Sequence, residues 1–523
     1  MRRVAVAAGV LLVALAWAAA ASAAMPPRAD DTGKAASGVY YEIFVRSWYD
    51  SNGDGIGDLN GVTAKLDYLQ SLGVSGIWLM PINPSPSYHG YDVTDYRAIN
   101  PQYGTMADFE RLVREAHKRR IKVIMDLVIN HSSNRHPWFL AARDPHSKYH
   151  DWYTWATPQT DLKAISATGG FAWHAGPDGK AGSGPHYLGV FTDEMPDLNY
   201  DDPAVRRAMI EIGKFWLKKG VDGFRLDAAQ HVYLDFDTDW DRASVLRKNL
   251  DWWRQFHRGA ATADPHAWLV GEVWQQNPAD LAPWMDALDA TFDFPLAARL
   301  LESAKTETDR DLGATLARIG DDYRAAARGR FDDAPLLSNH DTERVMSQLD
   351  GNPDHMRVAA AMLLTLPGHP FIYYGEEIGM RGRKPDPHLR EPMRWYRAGR
   401  GPGETTWEGW TAGDGPDVSV EAQHDDAGSL LNWYRTLIDW RRDIPALREG
   451  TARAWRDANL QVAAWELDDV HGDVLVLHNL SGKPQAITLP AQRFRSLLKH
   501  SRAHTSIDGG RLELPPYGSA ILQ

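Results

Sequence analysis

The stretch IKVIMDLVINH (121–131) decides the fold. It is apolar almost without a break from Ile121 to Ile129, where a strand with one wet face would alternate apolar and polar residues. A continuous apolar run of strand length marks a strand buried on both faces. Such strands come from parallel sheets whose crossover helices cover both sides. The run ends abruptly on polar groups, with Asp126 inside it and Asn130 and His131 at its end. Just upstream, MADFERLVREAHKRR (106–120) carries apolar residues at helical spacing. A helix leading into a buried strand is the unit from which parallel sheets are built.

Outward from this unit the alternation continues in both directions. VYYEIFVRS and VSGIWLMP read as strands before it, separated by the helical LNGVTAKLDYLQSLG, which ends in Gly73. After it come the helix AVRRAMIEIGKFWLKKG, the strand GFRLDA and the helix ASVLRKNLDWWRQF. AWLVGEVW, ATFDFPLA, APLLSNHD and PFIYYGEE follow as strands, with HMRVAAAMLLTL and SLLNWYRTLIDWRR among the later helices. Strand candidates alternating with helices in this way predict an α/β fold, a closed (β/α)8 TIM barrel spanning 38–445. The text from 132 to 195 is rich in Gly, Pro, Trp and His without sustained period, and reads as a subdomain inserted after strand 3. From 446 to 523 short β-like runs take over (QVAAWEL, DVLVLHNL, QAITLP, RLELPPYGSAIL), predicting a C-terminal all-β domain, a β-sandwich.

A chain of 523 residues suits a large barrel with accessories. Its 43% hydrophobic and 24% charged content is the globular balance. The formal charge of −12 is spread along the chain, favouring solubility and opposing a nucleic-acid partner. The 21 Trp serve cores but also suit stacking on sugar rings. Arg2 and Arg3 precede the apolar VAVAAGVLLVALAWAAA and the small-residue site Ala21-Ser22-Ala23, the layout of a signal peptide over 1–23. A membrane anchor is the alternative reading. The Ala-x-Ala site and the polar, Pro-containing MPPRADDTGKAASG behind it favour cleavage, and no later stretch is long and apolar enough to span a membrane. The expectation is a secreted or periplasmic monomer with no membrane attachment after cleavage. The chain has no cysteine, so its core holds it together without disulfides.

In a barrel of this kind the chemistry sits at the C-terminal ends of the strands. Those ends carry Asp126, Asn130 and His131, then Arg225 and Asp227, then Glu272, then His340 and Asp341. Capping and salt-bridge roles would explain one such residue. Carboxylates with His and Arg partners on one rim point instead to glycoside hydrolysis, which needs a nucleophilic carboxylate and a carboxylic acid. Arg225 lies two residues before Asp227, on the same strand face, where its charge is expected to keep Asp227 ionised as a nucleophile. Glu272 lies beside an aromatic in GEVW, a setting expected to raise its pKa as an acid requires.

DSNGDGIGD (50–58) reads like the first half of an EF-hand loop. Asp50, Asn52, Asp54 and Asp58 fall at positions 1, 3, 5 and 9, and Ile56 at position 7 offers its carbonyl. Position 12 is Gly61, not Glu, and EIFVRSWYD in front reads as a strand, so this is calcium chemistry in another setting. A solvated Asp/Gly turn is the plainer reading.

Taken together, DLVINH (126–131), MPDLN (195–199), GFRLDAAQH (223–231), GEVW (271–274), LLSNHD (336–341) and GHPFIYYGEE (368–377) resemble the α-amylase family, glycoside hydrolase family 13, over about residues 38–520. The resemblance implies Asp227 as nucleophile, Glu272 as general acid/base and Asp341 as the third, transition-state-stabilising carboxylate. It implies Arg225, His131 and His340 as sugar-holding residues and Tyr91 as the aromatic platform beneath the sugar, with Tyr88 and His89 beside it in YHGYD. The reaction implied is retaining hydrolysis of α-1,4-glucosidic bonds. DSNGDGIGDL resembles the structural Ca2+ loop of the oligo-1,6-glucosidase branch, and Asn130 and His231 match positions of a second calcium site. MPDLN lies between the forms of the oligo-1,6-glucosidase and neopullulanase branches. Tyr88 stands where chain-end glucosidases commonly have Asp. It either offers a stacking surface in an open cleft or packs against the insertion; Trp155, Trp173, Tyr187 and Phe191 of the insertion offer further stacking surface or form its small core. Gln230 departs from the Lys of many α-amylases. The expected activity is internal cleavage of starch, glycogen and maltooligosaccharides; the alternative is an α-glucosidase, cyclomaltodextrinase or transglycosylase on the same scaffold.

Overall fold

The computed structural model describes residues 38–523 except 167, 177–184, 234–242, 456–458 and 491; the segment 1–23, expected to be a signal peptide, lies outside the described residues. Seven parallel strands form one curled sheet. In spatial order they are Ala290–Thr291, Trp268–Gly271, Gly223–Leu226, Lys122–Leu127, Gly76–Leu79, Tyr40–Ile43 and Phe371–Tyr373. Two parallel bridges, Phe292 to Ala334 and Leu336 to Phe371, insert the 334–336 segment between the edges and close the barrel.

Strand alternation sorts the side chains. Tyr40, Trp78, Ile124, Trp268, Val270, Phe292 and Phe371 fill the barrel interior as one buried cluster. Tyr40 stacks on Trp268 and Phe371 with centroids 5.0 and 5.1 Å apart. Their neighbours Tyr41, Ile77, Val123, Met125 and Leu269 belong to the outer core beneath the helices. The helices bury one face each: Met106–Lys118 contributes Phe109, Leu112, Val113 and Ala116, and begins with a capping box between Thr105 and Asp108.

Several boundaries differ from the sequence reading, each for a local reason. VYYEIFVRS stays extended only to Ile43; Val45–Trp48 turns as a short helix. LNGVTAKLDYLQSLG breaks at Lys65, whose ammonium lies 4.2 and 4.0 Å from the ring centroids of Tyr49 and Trp395. In ATFDFPLA only Ala290–Thr291 is strand, because Asp293 caps the helix Phe294–Thr306 by accepting from the Leu296 N–H, with Pro295 in its first turn. APLLSNHD makes bridges rather than a full strand. RLELPPYGSAIL divides at Pro515 and Pro516 into Arg511–Leu514 and Ser519–Leu522.

The 132–195 stretch holds a helix, Pro137–Ala142, and a two-stranded hairpin, Trp173–Ala175 with His186–Leu188. Its aromatic residues make its own small core: Trp155 stacks on Phe139 at 5.9 Å and the buried Tyr187 meets Phe139 edge-on at 4.8 Å. Beyond residue 450 a five-stranded and a three-stranded antiparallel sheet pack face to face through Val462, Leu475, Leu477, Ile487, Leu512, Leu514 and Leu522. No helix among the described residues is long and apolar enough to cross a membrane.

Candidate active site

The inward-facing positions that fill the barrel with aromatic rings become charged at its C-terminal mouth. Glu42 follows Tyr40 on the inward face, Asp126 follows Ile124, Asp227 follows Arg225, and Glu272 follows Val270. Arg225 is fully buried at the centre. Its Nη1 donates to Asp126 Oδ1 at 2.9 Å and to Asp227 Oδ1 at 2.6 Å, and its Nη2 lies 2.7 Å from Glu272 Oε2. One guanidinium thus serves three carboxylates. Burial raises Asp227 well above the usual carboxylate range, and Arg225 only partly reverses this. Arg225 acts on Asp227 in the expected direction, favouring its ionised form, against burial and the charges of Glu272 and Asp126.

Glu272 is oriented from both ends. Its Oε2 accepts the Ala228 N–H at 2.9 Å as well as facing Arg225, and its Oε1 accepts the Trp274 indole N–H at 2.9 Å. Trp274 stacks on Phe294 at 3.7 Å yet stays 40% exposed, a large aromatic face open beside the carboxyl.

Asp341 lies across the mouth. His340 Nε2 is 3.0 Å from Asp341 Oδ2, and His340 Nδ1 is 2.5 Å from Glu42 Oε1. Burial alone would lower His340, but these two carboxylates outweigh it and raise it to about 9, so the ring is an imidazolium at neutral pH. Burial would raise Asp341, and the His340 charge overrides it, holding Asp341 well below the usual range. Arg390 adds a second cation, donating to Asp341 Oδ1 at 2.8 Å. Tyr91 hydroxyl lies 2.6 Å from His340 Nε2 and donates to Asp126 Oδ2 at 3.1 Å, and its ring stacks on His340 at 5.6 Å. His131 Nε2 donates to the Tyr91 carbonyl at 3.2 Å; burial lowers this ring to about 4, so it is neutral. His89 stacks on Tyr91 at 6.0 Å, and Tyr88 meets His89 edge-on at 5.4 Å.

The structure therefore gathers Asp227, Glu272, Asp341, Arg225, His131, His340, Tyr91, His89 and Tyr88 around one mouth. Glu42 and Arg390 were missed. A lone carboxylate inside the apolar VYYEIFV is a signal for Glu42; Arg390 comes from an irregular segment and has none.

The two calcium expectations fare differently. In 50–58, Asp50 Oδ1 accepts from the Asn52 and Gly53 N–H groups and its Oδ2 from Gly55; Asn52 accepts from Asp54, and Asp54 from Ile56. Asp58 accepts from Ser51 and Gly61, capping the helix Leu59–Ala64. Three carboxylates, an amide oxygen and the Ile56 carbonyl are a hard-oxygen donor set that fits calcium. The three acids are not drawn into one cluster; among the described residues, Glu466, Asp468 and Asp473 form the group whose ligand atoms lie within 4.8 Å of one another. At the second position, Asn130 donates to Asp197 Oδ1 at 3.2 Å. Asp197, from MPDLN, is fully buried and pushed up to about 8 by that burial. It is the partner that the sequence reading did not single out. Phe191 contacts both His231 and His131, with ring centroids 5.9 and 5.2 Å apart. Gln230 accepts from Gln275 at 3.3 Å and its Nε2 lies 3.1 Å from His231 Nε2.

Comparison with known proteins agrees with this geometry. The α-amylase catalytic-domain family matches residues 42–450, and the α-amylase SusG C-terminal domain family matches 462–521. The chain is 40% identical over 490 residues to α-amylase 3 of Dictyoglomus thermophilum, covering 93% of each. It is 32% identical to the trehalose synthase/amylase TreS of Mycobacterium tuberculosis, covering 94% of this chain and 90% of that one. The crystal structure of an α-amylase from H. orenii superposes with a TM-score of 0.84 at 44% identity, covering 93% of this chain and 99% of that one.

Proposed function

We propose, from the premise that the chain belongs to the α-amylase family of glycoside hydrolases, that it is an exported α-amylase. It cuts internal α-1,4-glucosidic bonds of starch, glycogen and maltooligosaccharides with retention. The observation that carries this reading is Arg225 holding one oxygen of Asp227 and one of Glu272 with its two Nη atoms. That arrangement keeps two carboxyl groups close together on one rim, as a double displacement needs.

Asp227 attacks the anomeric carbon as Glu272 gives a proton to the departing glycosidic oxygen. The bond to the leaving sugar breaks and an ester to Asp227 forms. Glu272 then takes a proton from water, whose oxygen displaces Asp227 and restores the starting configuration. Glu272 Oε2 accepts the Ala228 N–H and faces Arg225, and its Oε1 accepts the Trp274 indole N–H, so the carboxyl that delivers the proton is held in place from both oxygens. Asp341, ionised between His340 and Arg390, accepts hydroxyls of the bound sugar and offsets the positive charge developing on its ring. Neutral His131 and the Tyr91 ring complete its floor.

Calcium, when bound, supplies a structural crosslink; Asp50, Asn52, Asp54, Ile56 and Asp58 would hold one ion, and Asn130 with Asp197 a second. The sequence of residues 1–23 supports export to the periplasm or the medium. A second reading, transfer to a sugar hydroxyl rather than to water, is favoured by Trp274, whose open face beside the acid suits an acceptor sugar.

Product analysis on soluble starch, with maltose and a cyclodextrin in parallel and Asp227→Asn as the blank, tests the proposal. Rapid loss of iodine staining with mixed maltooligosaccharides is the expected result. Glucose from maltose with starch nearly intact would overturn it, and products longer than the starting oligosaccharide would favour the second reading.

A further inference from the structure

Trp407 lies outside every motif discussed above, yet its contacts lead to the active site. Its ring stacks on Tyr88 with centroids 5.3 Å apart and planes 20° apart. Its indole N–H donates to Ser47 Oγ at 2.9 Å, and Phe44 meets the ring edge-on at 5.7 Å. The Arg46 guanidinium lies 5.7 Å from the ring centroid. The segment that carries it, 403–407, hangs on the 50–58 loop by two backbone hydrogen bonds: Asp50 N–H donates to Gly403 C=O and Thr406 N–H donates to Gly55 C=O, both at 2.8 Å. The contact is close, since a Cβ on Gly55 would stand 2.6 Å from Thr406 Oγ1.

On its other side Tyr88 faces Arg390, whose guanidinium lies 5.8 Å from the Tyr88 ring centroid and which donates to Asp341. Tyr88 is thus reached from Asp341, whereas the acid Glu272 is flanked by Trp274. The two contact chains share no residue: the carboxylate that holds the retained sugar leads through Arg390 to Tyr88, and the acid that frees the leaving sugar leads to Trp274.

We propose that Trp407 is a positioning residue for the retained-sugar side: it backs Tyr88 and, through the 403–407 strap, ties the cleft's grip on long glucans to the 50–58 loop. Trp407 itself touches none of the reacting groups. Its effect passes through the Tyr88 ring, and therefore appears in the binding of chains long enough to reach that ring.

The inference rests on the amylase reading, and one experiment separates the two. Steady-state kinetics are measured for wild type, Trp407→Ala, Trp407→Phe, Tyr88→Ala and the alanine double variant, on 4-nitrophenyl α-maltoheptaoside and 4-nitrophenyl α-glucoside. In Trp407→Ala, kcat/KM on the heptaoside falls about tenfold, mainly through KM, as loss of one stacking contact implies. The loss on the glucoside is several-fold smaller. Trp407→Phe recovers most of the heptaoside activity, and Trp407→Ala adds nothing further to Tyr88→Ala. Equal losses on both substrates, or additive losses in the double variant, would overturn the proposal. If alanine collapses the strap, Trp407→Leu keeps most of the volume without an aromatic face and decides the same question. Wild type unable to cut the heptaoside internally would overturn the amylase reading and this inference together.

Discussion

At the scale of single residues, the site is a problem of placing three carboxylates, Asp126, Asp227 and Glu272, around one buried cation. The sequence exposed these three and Arg225 because each is a polar group at the end of an apolar strand, a position that burial makes costly unless function repays it. It did not expose Glu42, whose role depends on the barrel closing to bring residues 42 and 340 together. Glu42 lies 2.5 Å from His340 Nδ1 and is, after Asp341, the principal source of the charge that holds His340 protonated to about 9. Glu42→Gln keeps the shape and deletes that charge. His340 should then lose its proton at lower pH, so the alkaline limb of kcat/KM moves down by roughly one unit. Tm changes little if the amide retains the hydrogen bond. A pH–rate profile with an unmoved alkaline limb would show that Glu42 does not control this imidazole.

At the scale of elements, the 50–58 loop shows what local pattern can and cannot tell. Its alternating Asp, Asn and Asp side chains, read from the sequence as calcium ligands, accept successive loop N–H groups. Position 12 explains why it is not an EF-hand: a Cβ on Gly61 would stand 1.8 Å from the Tyr49 carbonyl oxygen, so no Glu fits there. The short helix Val45–Trp48, which replaces the expected strand, is what brings that carbonyl over Gly61. No periodicity argument over four residues finds such a turn. Among the loop's three carboxylates Asp54 has the least structural duty, since it accepts only from Ile56 and is exposed. Calcium should raise the Tm of wild type by several degrees, from about 2.7 kcal/mol of stabilisation at 100-fold over Kd. Asp54→Ala should lose most of that response while its Tm in chelator stays close to wild type. An unchanged calcium response would remove the loop from the ligand set.

At the scale of the whole molecule, barrel and C-terminal sheets are joined by buried contacts, so protons bound in either affect one common stability. Thr365 of the barrel meets His478 of the C-terminal sheet at 3.1 Å, and Tyr517 donates to Glu307 at 2.6 Å. Long strings of alternating strands and helices made the barrel legible. The docking of the two parts was not: Trp465, Leu467, Val476 and Ile521 of the C-terminal sheet join the barrel's outer hydrophobic cluster, a match of apolar faces that no local period announces. The titrating groups then set a definite pH profile. His340 holds its proton to about 9 in the folded chain against 6.5 in the unfolded one. Asp197 and Glu376 are raised by burial to about 8 against 3.8 and 4.5. From pH 6.5 to 8 all three keep protons that the unfolded chain has released, so stability falls as pH rises, each group contributing at most about 1.4 kcal/mol per unit. Below 6.5 the direction changes. His131, His136 and His231 stay neutral to about 4 and His478 to about 3, while the unfolded chain protonates them, so they lose stability as pH falls. Asp197, Glu376 and Asp293, the last pushed up to about 6, oppose them there. In chelator, Tm should therefore peak near pH 6, fall slowly on the acid side and fall most steeply between pH 6.5 and 8; above 8 His340 alone of the three continues the fall, and Lys65, lowered to about 8 by burial, opposes it. Glu376→Gln, which mimics the protonated carboxyl bonded to Tyr434 at 2.8 Å, should flatten the alkaline limb by one proton's share. Calcium should flatten it too if the ion sits at Asn130 and Asp197, because it would hold Asp197 ionised at every pH. A chelated wild type whose Tm is level or rising from pH 6.5 to 9 would mean that these buried groups do not govern the stability of the fold.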